Sequence, residues 1–230
     1  MLSNCRCLNI ETSVCSLTYE ALYYMKTDDK IIDKIKKIMS ENESLYKVSP
    51  SLFDPLFEAG EIVTFPRGYM IMKAGRQLRD VYVIIDGLVG SFYESGSKVI
   101  LHGLATPGML LIHGASFFNV KPSFMHWEAV VATTVLRVPD SFIREYLHSC
   151  HEFAIWMYGM AENVIMYSED KAFILSDSAE HRYIKLYENL PRRVFRELPS
   201  RMVARYLGIT EQSLSRIKRS VLKNHPKKED

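Results

Sequence analysis

The stretch LPSRMVARYLGITEQSLSRIKR, Leu198 to Arg219, decides how this chain is read. Pro199 suits the start of a helix, where its missing N–H is no loss. Met202, Val203, Tyr206 and Leu207 give that helix an apolar face, and Ala204 leaves room for a second helix. Gly208 permits the left-handed residue that ends it. Ile209 plugs the turn into the core, and Thr210 is a good cap for the next helix. There Leu214 and Ile217 point inward, while Glu211, Gln212, Ser213, Ser215, Arg216 and Lys218 point outward. Two short helices, a glycine turn and a polar outer face make a helix-turn-helix, whose second helix fits a DNA major groove. Gln212 and Arg216 lie four apart and share a face. Arg pairs bidentately with guanine and Gln with adenine, so these two are the expected base readers. Ser213 suits a base or a phosphate. Arg201, Arg219 and Lys223, with Thr210 and Lys218, are the expected phosphate contacts, which position without specifying.

Charge agrees with that reading. The 230 residues carry a net charge of +2, unevenly spread. From His181 onward, thirteen Lys and Arg face five Asp and Glu, which leaves +8. The first 180 residues hold sixteen against twenty-two, or −6. A basic unit on a larger acidic one suggests that one part meets a polyanion and the other does not.

Upstream of a hinge-like SDSAE near residue 178 lies a long helical stretch. Phe153, Met157, Met160, Val164, Tyr167, Lys171 and Ile174 are spaced 4, 3, 4, 3, 4 and 3, an a/d seam broken by one Lys. A lone helix cannot bury such a stripe in water. A second copy is the simplest partner, which predicts a parallel homodimer; the alternative is that the seam packs on its own neighbouring domain. Before it, DSFIREYL opens on Asp140, a good N-cap residue. From Leu45 to Pro139, short apolar runs rich in Val, Ile, Tyr and Phe alternate with glycines three to twelve residues apart. That is the texture of a compact β-barrel or sandwich, and ESGSK reads as a hairpin turn within it. Ile31, Ile32, Ile35, Ile38 and Met39 sit at helical spacing after Met25. Residues 1–24 hold three of the four Cys and show no apolar period, so Met25 is a candidate true start.

The expected organisation is α+β. It comprises an N-terminal extension and helix (1–44), a β-roll of jelly-roll type (45–147), a dimerisation helix (148–176) and a winged-helix-like helix-turn-helix unit (177–230). With 47% hydrophobic and 24% charged residues, collagen, low complexity and wholesale disorder are excluded. Four Cys exclude a disulfide-dense scaffold. No apolar run reaches the ~20 residues of a membrane helix, and the N-terminus carries Glu11 and no apolar core. A cytoplasmic protein with reduced thiols and no membrane partner is therefore expected. No nucleophile elbow, P-loop or metalloprotease helix points to an enzyme.

The order of β-roll, long helix and helix-turn-helix resembles the Crp/Fnr family of bacterial transcription regulators over roughly residues 45 to 223. FPRGYMIMKAGRQLRDVYVIIDGLVGSFY is similar to the family's cyclic-nucleotide-binding-domain core, with Gly68, Gly75, Tyr82, Ile84 and Gly87 at signature positions. The segment from His181 to Lys218 is similar to the DNA-binding end of a Bacteroidetes-type branch. The resemblance implies a homodimer on a palindromic operator, RNA polymerase as a further partner, and base-edge contacts from the positions of Glu211, Gln212 and Arg216. Glu211 stands where Arg is frequent, so no operator sequence carries over.

The resemblance also says what the effector site lacks. Cyclic-AMP-binding members use a Gly-Glu pair and, about ten residues on, Arg-Ser or Arg-Thr, the Arg neutralising the cyclic phosphate. In PGMLLIHGASFFNVKPSFMHWEAVV no Gly-Glu occurs, Ser123 and Phe124 fall where Arg-Ser belongs, and Lys121 is the nearby cation. Cyclic-nucleotide binding is therefore not expected. Phe117, Phe118, Phe124 and Trp127 would suit an apolar or aromatic effector, or fill the space themselves, and the second reading is preferred. Cys5, Cys7, Cys15 and Cys150 depart from the C-x-x-C spacing of the family's iron–sulfur sensors, and His102, His113 and His126 are weak haem candidates. No metal site is assigned and no cofactor can be named. The competing functions are a β-roll regulatory subunit of an enzyme or channel, and a redox- or metal-sensing regulator using the cysteines.

Overall fold

A computed structural model describes residues 28–41, 46–95, 98–119, 121–175, 177–190 and 192–224. Cys5, Cys7, Cys15 and Met25 lie outside the described residues. In chain order the elements are α1 (Asp29–Glu41), a 3-10 turn (Pro50–Phe53), α2 (Asp54–Ala59), β1 (Glu61–Phe65) and β2 (Met70–Met72). β3 (Asp80–Asp86), β4 (Val89–Ser95), β5 (Lys98–Ala105), β6 (Leu110–Leu111), α3 (Gly114–Asn119), β7 (His126–Ala129) and β8 (Thr133–Pro139) follow. Then come α4 (Asp140–Ser149), α5 (His151–Leu175), α6 (Ala179–Asn189), α7 (Arg192–Glu197), α8 (Ser200–Tyr206) and α9 (Glu211–Asn224).

The strands form two antiparallel four-stranded sheets, in orders β1-β8-β3-β6 and β2-β7-β4-β5. β3 shows how the sequence builds the layers. Successive side chains point to opposite faces. Tyr82 and Ile84 enter the core between the sheets, with Phe65, Trp127 and Val135. Val81, Val83 and Ile85 enter a second core, with Ile35 and Met39 of α1 and Phe153, Trp156 and Met157 of α5. Covered on both sides, the strand reads VYVII, without the polar alternation of a half-exposed one. β4 and β5 pair from Ser95 opposite Lys98, the short hairpin that ESGSK predicts. Between β3 and β4, Gly87 takes φ 99°, and a Cβ there would stand 2.6 Å from the Ala132 carbonyl oxygen, so only glycine fits.

A third core joins the roll to the helical unit. Leu88, Phe92, Leu101, Val130 and Val131 share one buried cluster with Tyr183, Leu186, Met202, Val203 and Leu207. α8 lies against β5. Residues 179–224 hold four helices and no strand among the described residues.

Three local expectations are refined. Asp140 is not a cap: Pro139 holds the N-cap position of α4, and Asp140 turns to Arg144, one turn on, at 3.4 Å. Pro199 likewise takes the N-cap position of α8, where its carbonyl accepts from Met202 and Val203. The α5 seam is divided. Phe153 and Met157 are buried against the chain's own roll and Met160 packs beside them, because Phe53, Met39 and Tyr146 close over that end. Farther along, Val164, Ile165 and Met166 are more than half exposed. Tyr167 and Ile174 lie within α5, but their side chains are outside the described set. Among the described residues no helix is long and apolar enough to cross a membrane.

Candidate nucleic-acid interface

The helix-turn-helix is built as its residues dictate. Met202, Val203, Ala204, Leu207 and Leu214 are buried together, with Tyr206, Ile209 and Ile217 packed beside them. Gly208 has φ 65°, the left-handed conformation that ends α8 without a Cβ penalty. Its neighbour Ile209 donates its N–H to the Ala204 carbonyl at 3.0 Å. Thr210 caps α9: its Oγ1 accepts from the Ser213 N–H at 3.2 Å and donates to Ser213 Oγ at 3.0 Å.

Anchoring one face of α9 frees the other. Glu211, Gln212, Ser215 and Arg216 are exposed, and Ser213 is half-buried. Among the described residues, no hydrogen bond or ion pair engages the Glu211, Gln212 or Arg216 side chains. Gln212 and Arg216 therefore present a bidentate amide and a guanidinium on one face with no partner among the described residues. The phosphate candidates differ among themselves. Arg201 is exposed. Lys218 Nζ donates to Ser200 Oγ at 3.1 Å, at the mouth of α8, and Arg219 Nε donates to the Ser215 carbonyl at 3.3 Å. The Thr210 hydroxyl is spent on its cap. Lys223 lies in α9 with its side chain outside the described set.

Comparison of sequences finds no matching family model and no matching curated protein. Comparison of folds finds several. FixK2 from Bradyrhizobium japonicum matches with a TM-score of 0.64 at 19% identity, over 72% of this chain and 85% of that one. The c-di-GMP-responsive global regulator CLP from Xanthomonas campestris matches at 0.62 and 10% identity, over 76% and 93%. A variant of CooA from Carboxydothermus hydrogenoformans matches at 0.58 and 13%, over 74% and 79%. The chain has the fold of the Crp/Fnr regulators.

Among the candidate effector-pocket residues, Ser123, Trp127 and Phe117 are taken up by the fold itself. Ser123 is 2% exposed. Its Oγ donates to the Met125 carbonyl at 2.8 Å and accepts from the Met125 N–H at 2.9 Å. Its backbone pairs with Gly75 and Arg76. Trp127 is buried between the sheets and meets Tyr82 edge-on at 6.5 Å. Phe117 is buried on the opposite side of the sheet, under the Arg144 guanidinium at 4.5 Å, and Arg144 also donates to its carbonyl. Lys121 is exposed, and its carbonyl accepts from Ser116 Oγ at 2.9 Å. Phe124 is 67% exposed, with its ring edge-on to His113 at 5.4 Å. The Phe118 side chain lies outside the described set. Trp127 and Phe117 thus belong to two different cores and do not converge on one pocket.

His113 caps α3, its Nδ1 accepting from the Ser116 N–H at 3.2 Å. Burial pushes its pKa down, which favours the neutral ring that can accept. His102 stacks edge-on to Tyr93, and His126 lies flat on Phe92. Among the described residues no three His, Cys, Asp or Glu gather as a metal site. Sequence reasoning missed Thr133, Arg144 and Trp156. Thr133 bridges the Leu88 N–H and carbonyl, and Trp156 Nε1 donates to the Met39 carbonyl at 3.1 Å. Each of these bonds goes to a distant backbone group, which carries no side-chain signature.

Proposed function

We propose that this chain is a Crp/Fnr-family transcription regulator that binds a palindromic DNA operator as a homodimer. The observation that carries the reading is the outward face of α9, where Gln212 and Arg216 are exposed and unengaged on a helix fixed by Gly208, Thr210 and Leu214. A +8 charge over the last fifty residues supplies the non-specific attraction to phosphates. Glu211, Gln212, Ser213 and Arg216 read bases; Arg201, Lys218, Arg219 and Lys223 hold the backbone, while Thr210 serves by capping the helix that carries the readers.

Dimerisation uses the distal part of α5. Val164, Ile165 and Met166 leave apolar surface in water that a second copy of the same helix covers. RNA polymerase is the partner through which such a dimer acts on transcription. For the roll, the reading is a scaffold closed by its own side chains and not a cyclic-nucleotide pocket, since Lys121 points into solvent and Ser123 has both hydrogen-bonding roles taken.

Selection of bound fragments from the source genome by the purified protein tests this reading. Enrichment of fragments sharing a palindrome, with affinity falling steeply as salt rises, is the expected result. Affinity without sequence preference would reduce the reading to non-specific binding, and no enrichment with or without cell extract would overturn it.

A further inference from the structure

Arg182, early in α6, bridges two parts of the helical unit. Its Nη1 donates to the backbone carbonyl of Asp177 at 2.9 Å, and its Nη2 donates to the backbone carbonyl of Leu207, also at 2.9 Å. Asp177 stands two residues beyond Leu175, where α5 ends, and Leu207 is the C-cap of α8, directly before Gly208. One guanidinium therefore joins the exit of the long helix to the turn that sets the angle between α8 and α9.

The surroundings hold both ends still. The Asp177 carboxylate accepts from the Ser178 N–H at 3.0 Å and lies 2.6 Å from His181 Nδ1 and 3.8 Å from Lys185 Nζ. Ser178 caps α6 by accepting from the His181 N–H. On the other flank, Glu180 Oε1 accepts from Ser220 Oγ at 3.0 Å, tying α6 to the back of α9. The Glu180 bond stays within the helical unit; the Arg182 fork also reaches back to Asp177, the residue before the cap of α6 on the side where α5 comes in. A rigid planar fork can hold two carbonyls in fixed directions at once, which a point donor on a flexible stem cannot.

We propose that Arg182 is a positioning residue that fixes the direction of α9 relative to α5, and so the half-site spacing the dimer reads in DNA. The proposal rests on the DNA-binding reading above. Two-fold symmetry doubles any change of angle, because both recognition helices move together, and such dimers engage half-sites about one helical turn apart. Arg182 acts through the turn and not on DNA, so it separates spacing from charge.

The test uses full-length Arg182→Lys and Arg182→Gln on fragments selected by the wild-type protein, with native spacing and with one base pair inserted. Wild type should strongly prefer the native spacing. Both variants should bind that fragment about tenfold more weakly and lose most of the preference, with non-specific affinity and salt slope unchanged. Retained preference would overturn the proposal, as would a salt slope reduced by about one, the mark of a lost phosphate contact. Hydrogen exchange over residues 205–211 provides a readout that needs no DNA. Faster exchange confined to that segment in Arg182→Lys supports the clamp. Unchanged exchange, or a rise spread over the whole helical unit, overturns it. If wild type selects no fragment, the DNA-binding reading fails, and the exchange result still decides whether Arg182 governs the turn.

Discussion

Ser123 of the roll and Arg216 of α9 are both candidate contact residues, and their surroundings are opposite. Ser123 is buried, and its hydroxyl both donates to and accepts from Met125. Arg216 is exposed on a helix whose other face packs through Leu214, Ile217 and Val221, and no group among the described residues engages it. A polar atom used up inside a fold is not free for a ligand. A polar side chain displayed on a rigid helix without an internal partner adds nothing to folding, so its identity is open to selection by a partner. The contrast supports the proposed division, structure for the roll's candidate residues and recognition for those of α9, and each half can be broken separately.

The largest effect is expected at Trp127. If the roll is a closed scaffold, Trp127→Ala removes a buried side chain that packs against Tyr82 of the facing sheet, at a cost of about 3–5 kcal/mol. Chemical denaturation measures this directly. A loss below about 1 kcal/mol would mean that the space beside Trp127 is already open, and the effector reading would return. Next comes Val164→Glu. Symmetry places two uncompensated carboxylates in the proposed α5 contact, so the dimer should weaken by about a hundredfold while the protomer keeps its melting behaviour. Sedimentation at several concentrations decides it, and an unchanged dimer would move the contact elsewhere. Met160→Glu is a poorer probe, because Met160 also packs on the chain's own core. Smaller again is Arg216→Ala, expected to cost about 1–3 kcal/mol on the selected operator and to relax preference at one base position, with stability unchanged. Equal affinity and an unaltered footprint would show that another residue reads that position.

What was legible in the sequence follows from the range of the interactions. The helix-turn-helix was readable because its signals are local: Gly208 for a left-handed residue, Thr210 for a cap three residues before Ser213, and an apolar stripe closing on itself. The β-roll was readable as a class from glycine spacing and β-branched runs. Its double-sided strand was not, since VYVII says that β3 is buried but not by what. The α5 seam shows the limit most sharply. A heptad stripe reports that something covers Phe153 and Val164 alike. Only the fold brings Phe53 and Met39 over the first and leaves the second in water. Arg144 and Arg182 escaped for a related reason: their acceptors are backbone carbonyls from Phe117, Asp177 and Leu207. No residue type at those positions records the bond.

The smallest effect sharpens the roll side of the comparison. His113 is a buried polar group of that region whose bonding depends on pH. Its Nδ1 accepts the Ser116 N–H that would otherwise be orphaned at the start of α3, and protonation of Nδ1 would abolish that bond. Burial also disfavours the charged ring, so the folded state takes up the proton at lower pH than the unfolded chain does. An unfolded state that binds protons more readily gains on the folded one as pH falls. The contribution of His113 to stability is therefore complete above the ordinary histidine value of about 6.5 and is lost progressively below it. His113→Asn keeps a side-chain acceptor suited to a cap but removes the titration. Melting temperatures of wild type and variant should run parallel above pH 7 and converge or cross between pH 6.5 and 5, as wild type loses its cap. Parallel curves through that whole range would show that the proton goes elsewhere, and that the His113 ring is held in the roll by packing against Phe124 and not by the cap.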